Sequence, residues 1–400
     1  MSSFQALSTS IASQVGTGNI VGVSTAIIAG GPGAIFWLWV TTVLGMSTNF
    51  AEAVLGQLYK SQKDGHIVGG PAYYIRDGLK SKVLAAIFSV ALILALGVTG
   101  IMVQANSIVN ASVRVLPEGM NTVWVGIGLA VLVGLVLAGG ITRIATFAEK
   151  VVPFMAMIFM TGAIIVIGLN FRDVPGVFGD IFRYAFTPWA PVGGILGATV
   201  MASIRYGVAR GLFSNEAGLG STPHAHAVAK VKHPHEQGLV ALVGMSVDLL
   251  VCTLTGLVVL LSGVVVSNPT AHGVAIPQLA FSSAFGAAGD YFIAISLLFF
   301  AFTTIVGWYF FAAQNVRYLF GEKLIWPYRF FVLAVIVLAS VAQVELVWEL
   351  ADTFNFFLVI PNVIAIIYLA PQVVKEVEFM RSELGEPRKA DVEEEDIEAV

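Results

Sequence analysis

The sequence predicts an all-α polytopic membrane protein, and three observations carry that prediction. Of its 400 residues, 57% are hydrophobic and only 12% are charged, whereas a soluble domain carries about 25% charged residues. The mean hydropathy is +0.85. Apolar runs at 151–169, 239–266 and 291–311 reach or approach the roughly 20 residues that cross about 30 Å of hydrocarbon. Such runs, without polar alternation, must satisfy their own backbone inside the bilayer, which selects helices over a barrel. An ordinary cytosolic enzyme is excluded.

Reading the runs between charged or Gly/Pro breaks gives ten segments, at 3–29, 33–59, 83–113, 121–139, 148–170, 190–230, 237–266, 289–319, 326–343 and 345–374. Segment one differs from a plain span because Gly16, Thr17, Gly18 and Asn19 fall in its middle. Segment six differs in the same way, with Ser214-Asn215-Glu216-Ala217-Gly218-Leu219-Gly220-Ser221. Glycine and asparagine are poor helix formers and make an unwound turn cheap. These are the first segments of two sets of five, so the chain divides into one repeat at 3–170 and a second at 190–374. An odd number of spans per repeat forces opposite orientations, the pattern of an inverted-repeat transporter with a midplane site. Acidic residues concentrate after 376, with Glu393, Glu394, Glu395 and Asp396 consecutive. Region 376–400 therefore reads as a disordered cytoplasmic tail, with no nucleic-acid partner implied.

Charge orients the segments. With the N-terminus cytoplasmic, 16 of the 21 Lys and Arg residues fall in inside loops or the C-terminus and three, Arg114, Arg172 and Arg183, fall outside. Arg205 and Arg210 lie within segment six. This is a strong positive-inside bias, placing both termini inside the cell membrane. Cys252 is the single cysteine and sits in an apolar run, so no intramolecular disulfide forms. The N-terminus has no basic region followed by a small-residue cleavage site, so it is not read as a cleaved signal peptide.

An unwound turn inside a membrane frees backbone groups that must bind something. Amides opening the following half-helix suit an anion; carbonyls closing the preceding one suit a monovalent cation. Thr17 and Gly18 would offer amides to a carboxylate, so a small zwitterion with Na⁺ fits both polarities. The plainer alternative is that Gly16 and Gly18 serve close helix packing.

The stretch GTGNIVGVSTAIIAGGPGAIFWLWVTTVLGMSTNFAE (16–52) closely resembles the signature of the alanine/glycine:cation symporter family, and GVARGLFSNEAGLGSTPHAHA (207–227) is a second match. Further similarity runs through GGPAYYI (69–75), VPFMA (152–156) and WELADTFN (348–355). The resemblance implies a LeuT-type fold of five plus five inverted helices, and Na⁺-driven, or in some members H⁺-driven, uptake of small neutral amino acids. It also implies a further hydrophobic helix before Phe4. By this resemblance Thr17 and Gly18 bind the substrate carboxylate, and Asn19 braces the turn or meets substrate. Gln104, Thr304 and Trp308 complete the pocket, to which segment six contributes Phe213, Ser214 and Asn215. Na⁺, the coupling ion in place of any organic cofactor, is held by the carbonyls of Ala12 and Val15 with the hydroxyls of Thr303 and Thr304.

Each residue has a plainer reading as well. Thr303 and Thr304 can bond to their own helix, Gln104 can join two helices, and Trp308 can be core. Glu52, Arg205, Arg210, Glu216 and Asp248 lie within or beside spans, where charge is costly and functional by default; Glu52 and Asp248 are alternatively wet helix-end residues. His224, His226, His233 and His235 read as a solvated connection rather than a metal site. Enzyme motifs such as HExxH or GxSxG are absent. The expected function is Na⁺-coupled symport of alanine or glycine; the alternatives are an H⁺-coupled symporter, or a sensor or channel on the same scaffold.

Overall fold

The computed structural model describes residues 1–63, 66–117, 119–189 and 198–384. Among them, six helices are long and apolar enough to cross a membrane: Gly33–Leu58, Lys82–Val113, Thr142–Leu169, Pro234–Leu261, Ala288–Phe320 and Val344–Glu383. Segment one adds a broken span, Ser3–Gln14 and Gly18–Gly30, bent by 46°. Segments four and nine are the shorter helices Thr122–Leu137 and Ile325–Ala339.

Helix starts follow local capping chemistry. Ser2 and Gln5 form a reciprocal box at segment one, each side chain accepting the other's backbone N–H at 3.1 Å. Ser81, Asn121 and Thr199 cap segments three, four and six through their side-chain oxygens. Segment three carries an internal wide turn at Ala95–Gly100. Its glycines clear space for segments eight and nine, because a Cβ on Gly100 would lie 2.6 Å from the Trp308 ring and one on Gly97 2.2 Å from Tyr328 Oη.

Segments one and six lie at the centre. Segment six packs along segments one and two, while segment eight packs against segments one, three and five. On the face that carries the termini, the Met1 amine donates to Val228 O at 3.2 Å and the Lys230 amide to Met1 O at 3.1 Å. His235 Nδ1 lies 3.1 Å from Glu376 Oε1 on the last helix. A hairpin, Ser61–Lys63 against His66–Val68, joins segments two and three.

Several expectations are corrected. Segment six is helical only over Val200–Asn215, then non-helical, then one short helix at Pro223–Ala227; its expected start at 190–197 lies outside the described residues. Segment five begins at Gly140, earlier than expected. The last helix continues to Glu383, because Glu376 and Glu383 face His235 and His233 rather than water alone; the acidic 385–400 region lies outside the described residues. Val174–Tyr184 and Ala275–Phe285 form helices that the apolar runs did not announce. The first is held by aromatic contacts of Phe178 and Phe182 with Trp39 and Phe36 on segment two. Finally, His224 and His226 are buried, not solvated. His224 Nε2 accepts from Asn315 Nδ2 at 2.9 Å and its ring stacks on Phe311, so the chain after the break folds back into the protein.

Candidate functional site

In segment one the helix stops at Gln14, the chain bends at Val15 and Gly16, and Thr17, in helical conformation, caps the wide turn that starts at Gly18. Asn19 braces this turn. Its Oδ1 accepts the Gly16 amide at 2.9 Å, and its Nδ2 donates to Asp248 Oδ1 at 2.6 Å on segment seven. Gly16 is glycine because a Cβ there would fall 2.4 Å from Thr304 Oγ1. Gly18 faces segment six, where a Cβ would meet Phe213 at 3.1 Å and Ser214 Cα at 3.4 Å.

Thr304 brings segment eight to the same break. Its Oγ1 lies 3.0 Å from Ala12 O, 3.4 Å from Val15 O and 3.0 Å from its own Phe300 O. Three carbonyls and a hydroxyl thus converge without a competing charge, a hard-oxygen set of the kind that suits Na⁺. The neighbouring Thr303 does not join this convergence. Its hydroxyl donates to Phe300 O at 2.8 Å and approaches Met155 Sδ at 3.5 Å, since adjacent helical residues point about 100° apart. Phe300 was missed in the sequence, although a helical threonine regularly bonds the carbonyl four residues earlier.

At the segment-six break Glu216 adopts a left-handed backbone, φ 58°, and caps the helix. Its carboxylate accepts the Trp308 indole N–H at 2.6 Å, the Ser13 hydroxyl at 3.4 Å and the Ser221 hydroxyl. Gln14 Nε2 donates to Asn215 O at 2.9 Å, a second bond between the two broken segments. Trp308 therefore has its indole nitrogen committed to Glu216 while its ring meets Phe213 edge-on at 5.9 Å. Ser214 Oγ donates to Asp248 Oδ1 at 2.6 Å. Asn215 is not turned toward the other expected pocket residues: its Oδ1 accepts the Ala217 amide and its Nδ2 donates to Thr42, so it holds the break against segment two.

Gln104, like Asn19 and Thr304, touches the backbone of this break directly. Its Oε1 accepts from Thr17 N at 3.0 Å and from Thr17 Oγ1 at 2.6 Å. Glu52 and Asp248, alternatively wet by sequence, are both 0% exposed. Glu52 Oε1 accepts from Gly220 N at 3.1 Å and Asn362 Nδ2 at 2.5 Å. Each carboxylate keeps one oxygen without a hydrogen-bond partner. A charge in the middle of an apolar run was the available sequence signal.

On the face opposite the termini, two cavities of about 250 and 220 Å³ share His272, Gly273, Val344, Glu345 and Trp348; the first also reaches Val21 and Ser107, the second Thr25 and Arg210. Below them Phe213 packs against Trp348 at 5.0 Å. Arg210 lies over the Trp348 ring at 4.7 Å and pairs with Asp352. Aromatic and ionic contacts thus separate the cavities from the two breaks.

The sequence profile described as "Sodium:alanine symporter family" matches residues 1–394. The chain belongs to the sodium:alanine symporter family. Members of this family are transporters, not enzymes. A relative named sodium/alanine symporter AgcS, from Methanococcus maripaludis, is 39% identical over 385 residues, covering 94% of this chain and 83% of that protein. The probable sodium/glutamine symporter GlnT of Bacillus subtilis is 40% identical, covering 93% and 77%. An uncharacterized transporter of Haemophilus influenzae is 42% identical, covering 96% and 80%. Among solved structures, MhsT in complex with L-phenylalanine is similar with a TM-score of 0.63 at 12% identity, covering 92% of this chain and 87% of that one. A mutant manganese transporter of Eremococcus coleocola gives 0.61 at 15% identity, covering 92% and 78%. These two likenesses bear on the fold, a LeuT-type one, as the motif resemblance implied.

Proposed function

We propose that this protein carries a small neutral amino acid, alanine or glycine, into the cell with Na⁺ by alternating access. The observation that carries the reading is the approach of Thr304 Oγ1 to the carbonyls of Ala12 and Val15, at 3.0 and 3.4 Å. The Thr17 amide lies two residues further along, just past the bend. Cation and carboxylate would therefore order one short backbone segment, and each would raise the affinity for the other; that coupling is reciprocal by necessity. In this reading Thr17 and Gly18 receive the carboxylate, Ser214 and Asn19 stand beside them, and Phe213 and Trp308 limit side-chain size. Thr303 and Asn215 support the site from outside it. The repeats at 3–170 and 190–374 supply one broken segment each, and both termini face the cytoplasm. The relatives' names include both alanine and glutamine symporters; the aromatic walls favour the smaller substrate.

Proteoliposomes loaded without Na⁺ test this directly. An inward Na⁺ gradient is expected to drive concentrative uptake of labelled alanine. Uptake indifferent to Na⁺ and to pH would sink the coupling. A second reading, proton coupling, is favoured by the unpartnered buried oxygens of Glu52 and Asp248. It predicts uptake driven by a pH gradient in sodium-free buffer.

A further inference from the structure

We propose that Gln104 is a self-ligand, its amide oxygen holding the carboxylate seat of the empty transporter until the substrate displaces it. Resting on the reading of Thr17 as a substrate contact, the inference adds how the seat is filled and emptied.

Two donors of one residue, Thr17 N at 3.0 Å and Thr17 Oγ1 at 2.6 Å, converge on Gln104 Oε1. This is the arrangement an oxygen of a carboxylate would take, and a charged acceptor makes the stronger bond. The oxygen lies over bare backbone, since a Cβ on Gly16 would come within 3.1 Å of it. Gln104 is 1% exposed, so no water replaces the contact freely. A buried amide left without an acceptor is penalised, and the broken helix offers Thr17 N no acceptor of its own. Something must occupy the seat between transport cycles.

A glutamine suits this task because its amide both accepts and donates. With the seat empty, Oε1 accepts from Thr17. When a carboxylate arrives, rotation of the last side-chain torsion turns Nε2 toward it, so the displaced group becomes a donor to the ligand. Glutamate could hold the seat but could not donate; methionine could do neither. The residue type is therefore tied to an exchange rather than to packing, and the ligand it admits must carry a carboxylate. An amino-acid amide would exchange one neutral acceptor for another and gain nothing.

Calorimetric binding of alanine to the purified full chain in Na⁺ separates these roles. Gln104→Glu is expected to weaken alanine at least about tenfold, because a tethered anion holds the seat and repels the incoming one. Gln104→Met, of similar length, removes the occupant together with the donor, so it is expected to weaken alanine by a clearly smaller factor than Gln104→Glu. Equal losses in the two variants, or an undiminished affinity in Gln104→Glu, would overturn the proposal. A second readout needs no substrate. In the empty protein, hydrogen exchange at the Thr17 amide should rise about tenfold in Gln104→Met and not in Gln104→Glu. Unchanged exchange in Gln104→Met overturns the self-ligand whether or not alanine binds. If exchange behaves as expected but wild type binds no alanine, the contact stands and the substrate reading fails.

Discussion

Thr303 and Thr304 are neighbours in one helix with the same hydroxyl, yet only Thr304 reaches the carbonyls of segment one. Removing that hydroxyl takes away a ligand oxygen, so Thr304→Ala is expected to raise the Na⁺ concentration for half-maximal alanine uptake by about 10-fold or more. Thr303→Ala should move it less than about threefold, comparable to the lipid-facing control Leu44→Ala. Uptake measured over a Na⁺ series decides; equal shifts at the two threonines would refute the assignment. Gly16 belongs to the same scale. Its missing Cβ leaves the 2.4 Å that Thr304 Oγ1 occupies. Gly16→Ala must push the two segments apart, at about 1–3 kcal/mol for overpacking, and uptake should be lost while the protein still elutes as a monodisperse peak.

At the scale of elements, the two broken segments are tied by Glu216 rather than by their glycines. One carboxylate gathers Trp308 of segment eight, Ser13 of segment one and Ser221 beyond its own break. Bonds to a charged acceptor contribute about 1.5–3 kcal/mol each, so the cluster has to rearrange as a unit if segment one is to tilt. Glu216→Gln keeps the shape and weakens the acceptor. It is expected to lower the thermal midpoint by several degrees, and to slow uptake more than it alters alanine affinity. An affinity change without a change in midpoint would place Glu216 in direct contact with substrate instead.

Across the whole molecule, the two faces are built differently. The face carrying the termini is packed with backbone and polar contacts around Met1, His224 and Glu376, and a cavity of about 330 Å³ lies elsewhere on it, between segments five, eight and nine at Gly140, Arg317 and Arg329. The opposite face has an open cavity that reaches Ser107. Cys252 is the only cysteine and is buried, so single introduced thiols report cleanly. Ser107→Cys should react with a membrane-impermeant thiol reagent from the outside, and Gln314→Cys, buried on segment eight beside the inside residue Arg317, should not react from that side. Lys375→Cys should react only in inside-out vesicles, which checks the charge-based orientation. Labelling of Lys375→Cys from outside would invert the topology.

Hydrophobic patterning is a property of the chain itself, because each span must satisfy its own backbone in lipid. The sequence by itself therefore determined the membrane class, the places of the long apolar helices though not their ends, and the two breaks at Gly16-Thr17-Gly18-Asn19 and after Asn215. The motif resemblance also named Ala12, Val15 and Thr304 as partners, and in the structure Thr304 Oγ1 faces both carbonyls, at 3.0 and 3.4 Å. What only the tertiary structure decided is where each polar atom points. The rotation of segment eight separated Thr304 from Thr303, and the turn after Glu216 aimed Asn215 at segment two. The burial of Glu52, Asp248, His224 and His226 depends on which helix lies across from them. So does the meeting of Gln104 with Thr17, 87 residues apart in sequence. Spacing along a chain fixes which residues share a helix face, but the partner across the gap is chosen by packing among all the segments at once.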